Sequence, residues 1–190
     1  MLKQFGVVLL LSVNLVACFD RDPADTASNF SLASSTSEMV SSGDALEEFS
    51  LIRDESFGGL KLDMGIEAFE PLLLCKVEKG EPVLWAGIGE IIQEWNYQDC
   101  GVKLQLSTVD PDTPQIVSSI IVRAPSTLRT ARNIHIGSTE QEVMAAYADY
   151  LDADYSVPGD TLVAGSIYGG LIFTLKNDQV ESMFLGAGAE

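Results

Sequence analysis

The sequence predicts an α+β fold of two tandem related units, each a short strand, a helix and an antiparallel strand meander, with the helices packed on one face of the sheet. Three internal correspondences predict it. Residues 60–69 ("LKLDMGIEAF") share the apolar pattern of residues 134–143 ("IHIGSTEQEV"); residues 101–106 match 170–175; and residues 117–122 match 180–185, in the same order both times. From about residue 51 the chain is long enough for one core or for two small fused units, and the repeat favours two, at 51–125 and 126–190.

Ahead of these units, residues 1–17 carry Lys3 and then an apolar run broken only by Ser12 and Asn14. That run is too short to be a permanent membrane span and has the form of an export signal. It ends in Leu15-Val16-Ala17-Cys18, which resembles the lipobox of bacterial lipoproteins. The resemblance implies cleavage before Cys18 and diacylation of its thiol, so that lipid on Cys18 ties the chain to a membrane. Residues 18–50 are rich in Ser, Asp, Ala and Thr and poor in aliphatic side chains, which makes them the lipidated cysteine and a flexible tether. Asp directly after the cysteine favours inner-membrane retention, but here Phe19 comes first and Asp20 second. The expected location is therefore the periplasmic face of the outer membrane, with the outer face of the plasma membrane as the alternative in a single-membrane cell.

Charge narrows the partners. With 28 Asp and Glu against 11 Lys and Arg, the formal net charge is −17. Nucleic acid is disfavoured, because binding its backbone needs clustered cations that this chain lacks. Acidity equally disfavours adhesion to anionic lipid, which leaves anchoring to the acyl groups. Once Cys18 is assigned to lipid, Cys75 and Cys100 remain as an even pair in an oxidising compartment, either disulfide-bonded or as two buried thiols. The sequence holds no CxxC and a single His, so no metal ligand set and no cofactor is expected.

Within the first unit, Pro71 interrupts the helix and should kink or shorten it. Ile88, Ile91, Ile92 and Trp95 have helical spacing, yet Trp95-Asn96-Tyr97, Gln98-Asp99 and then Val102 to Leu106 read as two strands around a turn; the repeat decides for strands. In the second unit, Thr139 with Glu142, or Ser138 with Gln141, fits a helix-capping box. Val143, Tyr147 and either Tyr150 or Leu151 then form one apolar face. Asn177-Asp178 between two apolar strands marks a closing hairpin.

Together, Ile134, Ile136, Gly137, Thr139, Glu142 and Val143, the strand Trp95-Asn96-Tyr97 and the series Leu171, Phe173, Leu175, Asn177, Val180 and Met183 resemble the small repeats of BamE and of beta-lactamase-inhibitor proteins. They also resemble envelope lipoproteins built from two such units. The resemblance implies a helical layer on one face of an antiparallel sheet. It also implies function by binding, either as an envelope assembly module for a protein partner or as an inhibitor of a secreted or envelope hydrolase. It carries no catalytic residue. Asp63 at the position of Gly137, and Pro71, depart from the pattern.

Candidate site residues are few. His135 lies between two isoleucines and is expected to point outward, without a nucleophilic partner. Asp149, Asp152, Asp154 and Asp160 crowd one loop, but without the Gly and Glu spacing of a calcium-binding EF-hand. The glycine-rich stretch 159–173 suits a bulged, closely packed strand or a ligand contact. Trp85, Trp95, Tyr97, Tyr155 and Tyr168 are the aromatic anchors expected at a partner interface, with core packing as the competing role for some of them.

Overall fold

The computed structural model describes residues 50–188. The export signal, Cys18 and the tether up to residue 49 lie outside the described residues. In chain order the elements are α1 (Ser50–Asp54), α2 (Ile66–Phe69), β1 (Glu78–Lys79), β2 (Val83–Trp85), β3 (Glu90–Tyr97), β4 (Val102–Thr108), β5 (Ile116–Arg123), α3 (Glu140–Ala146), β6 (Thr161–Ser166), β7 (Gly169–Lys176) and β8 (Gln179–Gly186). All the strands join one eight-stranded antiparallel sheet in the order β1-β3-β4-β5-β8-β7-β6, with β2 also paired to β3. No helix among the described residues is long and apolar enough to cross a membrane.

This architecture corrects the α+β expectation: the described chain is mostly an antiparallel sheet with a few short helices, and no helical layer packs on it. The helices are too short to form one. α2 stops at Phe69, with Pro71 in the 3-10 turn Glu70–Leu72 that follows. α3 ends at Ala146, and Tyr147 leaves helical geometry at φ −119°, ψ 18°. Within their bounds each of these two helices buries one residue, Phe69 or Val143. The short strands expected near residues 60 and 134 are also absent: Phe57, Leu60 and Thr130 make only isolated bridges, and residues 134–138 lie outside any strand.

The sheet consists of two three-strand meanders, β3-β4-β5 and β6-β7-β8, joined where β5 pairs with β8. Detailed bonding matches across them. Leu104 faces Ile120 and Leu106 faces Val117, with a register shift between Gln105 and Leu106. Phe173 faces Met183 and Leu175 faces Val180, with the shift between Thr174 and Leu175. Ahead of each short helix the chain crosses the start of the third strand with the same pair of bonds. The Asp63 amide donates to the Val117 carbonyl and the Val117 amide to the Met64 carbonyl; likewise Gly137 donates to Val180 and Val180 to Ser138, all four at 2.8 to 3.0 Å. Asp63 and Gly137 both sit at positive φ, 61° and 91°, so Asp occupies the left-handed position that Gly fills in the second half.

One face of the sheet carries the core. Leu104, Leu106, Val117, Ile120, Phe173 and Met183 are buried there against Leu51, Phe57, Leu60, Phe69 and Val143 from the connecting segments. Strand alternation makes the opposite face the more open one, half-buried at Ile121, Phe184 and Ile172, although Val163 on β6 is only 1 % exposed. Across it the register lines up Asn96, Lys103, Ile121, Phe184, Ile172 and Val163, one from each of six adjacent strands. Beside that row run Arg123, Ser182, Thr174 and Thr161.

Candidate functional site

The corner from Asn133 to Val143 gathers seven polar side chains in eleven residues, and its geometry is that of a brace. Thr139 is the helix cap: its hydroxyl accepts from the Glu142 amide at 3.2 Å, while the Glu142 carboxylate accepts from the Thr139 amide at 2.7 Å, a complete capping box. Ser138 turns the other way, its hydroxyl 2.7 Å from His135 Nδ1 and accepting from the His135 amide at 3.2 Å. A Ser–His contact invites a catalytic reading. Ser138 is 3 % exposed, however, and both of its bonds go to a residue three positions away, so the hydroxyl is committed to holding the turn.

The Thr139 bonds, backbone first and then hydroxyl, hold the exposed Glu142 carboxyl below its ordinary pKa. A depressed carboxyl pKa contributes stability that is present above the ordinary Glu range and is lost as pH falls through the lowered value. We expect Thr139→Ala to cost about 1 kcal/mol of unfolding free energy in urea titrations at neutral pH. In an NMR titration the same substitution, which keeps the backbone amide and removes the hydroxyl, should move the Glu142 midpoint part of the way back up toward a free glutamate; an unmoved midpoint would refute the hydroxyl's share in the cap.

Beneath this corner lies a buried carboxylate. Glu55 is fully buried and accepts from the Ala131 amide at 2.6 Å, the Tyr147 hydroxyl at 2.8 Å, the Ser56 amide at 3.0 Å and Arg132 Nη1 at 3.2 Å. The Arg132 guanidinium lies over two rings, 5.0 Å from Tyr147 and 4.6 Å from Tyr150. Burial above all, with Glu55 beside it, pushes the Tyr147 phenol well above its usual range, so it stays a donor. Sequence reading missed Glu55. It is one acid among 28, and its only local signal is its place between buried Leu51 and Phe57.

The five aromatic anchors divide. Trp95 and Tyr97 belong to the core, at 3 % and 2 % exposure, the competing role that the sequence left open for some of the five. Positions 95 and 97 share the inward face of β3: Trp95 meets Phe69 edge-on at 5.6 Å, and Lys79 Nζ lies 3.4 Å from its ring centre. Trp85, Tyr155 and Tyr168 are exposed. They do not converge, because Trp85 sits on β2 at one end of the strand order while Tyr155 and Tyr168 flank β6 at the other. Cys75 and Cys100 are joined by a disulfide.

Other candidates have structural roles. Asp152 Oδ1 accepts from the Asp154 and Tyr155 amides, an Asx turn, and no group of three metal-ligating side chains occurs among the described residues. In the glycine-rich stretch, a Cβ at Gly170 would collide with the Ala164 and Ser166 carbonyls of the paired strand. The closeness there is between strands. His135 lines an open cavity of about 490 Å³ with Arg129, Arg132, Ser138 and Glu142, and Arg129 Nη1 is 3.4 Å from its Nδ1.

What remains for recognition is the open face. Ile121, Phe184 and Ile172 are half-buried side by side at its centre. Gly188 lies against this row: its amide donates to the Ile167 carbonyl at 2.7 Å and a Cβ there would lie 2.6 Å from Ile172 Cδ1. Beside the row, Arg123 makes no ion pair among the described residues and lines two adjoining cavities, of about 380 and 460 Å³. Comparison with protein-family models, curated proteins and solved structures finds no match.

Proposed function

We propose that this chain is a lipid-anchored cell-envelope protein that serves as a binding or assembly module for an envelope protein partner and performs no catalysis. The open sheet face carries this reading. Ile121, Phe184 and Ile172 lie in one row of six strands, with Arg123 and the hydroxyls of Ser182 and Thr174 alongside. An apolar centre with a polar margin is the anatomy of a protein interface. We further read 51–125 and 126–190 as two copies of one ancestral unit, which the shared register shift and paired corner bonds support. The BamE and inhibitor-protein resemblance remains part of the proposal through the double unit alone, without the helical layer that it implies.

Anchoring and binding are tested together. Cys18→Ala should abolish acyl labelling and release or stall the precursor, and an unchanged membrane fraction without acyl mass would refute the anchor. Phe184→Glu should keep the fold and lose the protein that crosslinks to the wild type in intact cells. Inhibition of a hydrolase is the second reading. It is favoured by Tyr155 and Val157, 48 % and 56 % exposed on the acidic loop, and it predicts that the purified chain abolishes such an enzyme's activity.

A further inference from the structure

The two edges of the sheet are treated differently. At the β6 edge the Val163 carbonyl accepts from the Asp152 amide at 2.8 Å, the Val163 amide donates to Ser156 Oγ at 3.0 Å, and Leu151 bridges Ala164. That edge is capped. At the other edge, β2 pairs on one side with β3, Val83 to Ile92 and Trp85 to Glu90, and nothing among the described residues pairs its other side. Edge strands are ordinarily short, charged or covered. This one is short and follows Pro82, but its side chains are Val83, Leu84 and Trp85, 53 %, 64 % and 40 % exposed, with Ile88 at 47 % in the next turn.

On the reading that the chain acts by binding, we propose that β2 takes an extended segment of the partner protein as an additional strand, one that alternates apolar with basic residues. The unpaired backbone edge supplies the bonding template. Val83, Trp85 and Ile92 rim a cavity of about 350 Å³ that also meets Glu81, Glu94 and Gln105. Glu81 in this lining and Glu90, the partner of Trp85 on β3, make no ion pair among the described residues, so a strand laid here meets uncompensated acid. A second copy of the chain would bring those acids together on top of a net charge of −17, which selects a basic segment over self-pairing.

The test uses the full chain in detergent with a hexapeptide of alternating lysine and valine, followed by backbone amide NMR. Amide shifts should centre on residues 83–85. Of two peptides N-methylated on alternate residues, one should bind like the parent and the other at least about tenfold more weakly, since strand addition uses one edge of the peptide. Glutamate in place of lysine should abolish binding, and Glu81→Gln with Glu90→Gln should weaken it about tenfold and flatten its salt dependence. No binding, equal binding of both methylated peptides, shifts centred on Ile121 and Phe184, or β2-mediated dimers without peptide would each overturn the proposal. If the peptide fails while Phe184→Glu still severs the cellular partner, the edge inference falls and the binding-module reading stands. If the peptide behaves as expected but no cellular protein crosslinks, the binding-module reading fails at its own test.

Discussion

Glu55→Ala is expected to lower the unfolding free energy by about 3 to 5 kcal/mol, a large share of a small domain's total. The carboxylate satisfies four donors at once, from Ser56, Ala131, Arg132 and Tyr147, and is fully buried. Removing it leaves a guanidinium, a phenol and two amides without their acceptor. Glu55→Gln keeps the volume but substitutes an amide that donates where the site needs an acceptor, so it should recover only part of the loss. The network ties α1 to the 129–132 loop and to Tyr147, 92 positions along the chain. Tyr147→Phe should therefore cost less, about 1 to 2 kcal/mol, and combining it with Glu55→Ala should be markedly less than additive. Urea denaturation of the wild type and the four variants checks these statements; additive losses would mean that Glu55 and Tyr147 act independently.

Reduction of Cys75–Cys100 should have the next largest effect. The bond closes a loop of 25 positions, whose chain-entropy contribution is about 3 to 4 kcal/mol. It links the segment that follows α2 to the turn that joins β3 and β4, and both cysteines pack partly buried against the core. Cys75→Ser with Cys100→Ser should lower the unfolding free energy by that amount and steepen the urea slope, because the uncrosslinked unfolded chain exposes more surface. The loss should concentrate in hydrogen exchange of β1, β3 and α2 and leave the β7-β8 hairpin protected. An effect spread evenly over both meanders would contradict this.

The sequence was most legible where local chemistry decides. Asn177 and Asp178 both take positive φ, 52° and 61°, and form the tight turn that their residue types specify between β7 and β8. Thr139 and Glu142 form the capping box three positions apart, and the structure selects that register over Ser138 with Gln141. Legibility failed where distant contacts decide. The spacing of Val143, Tyr147 and Tyr150 suggests a continuing helix, yet Tyr147 leaves helical geometry to reach Glu55, which lies far back in the sequence. Tertiary contacts override periodicity there. Trp95 and Tyr97 carried a readable signal, two positions apart and in phase with buried Val102, Leu104 and Leu106 across β4, which marks the inward face. The open face had no such signal: Ile121, Phe184 and Ile172 become neighbours only through the β5-β8 and β7-β8 registers.

The central claim is that this protein works by holding a partner on the open face of its sheet. Its most direct measurement places a photo-crosslinking residue at Phe184, and in a parallel strain at buried Phe173 as a control, within intact cells that produce the full chain. The account predicts a discrete protein adduct from position 184, absent from position 173 and lost when Ile121 is replaced by Glu. Equal labelling from both positions, or no protein adduct from position 184, would contradict it.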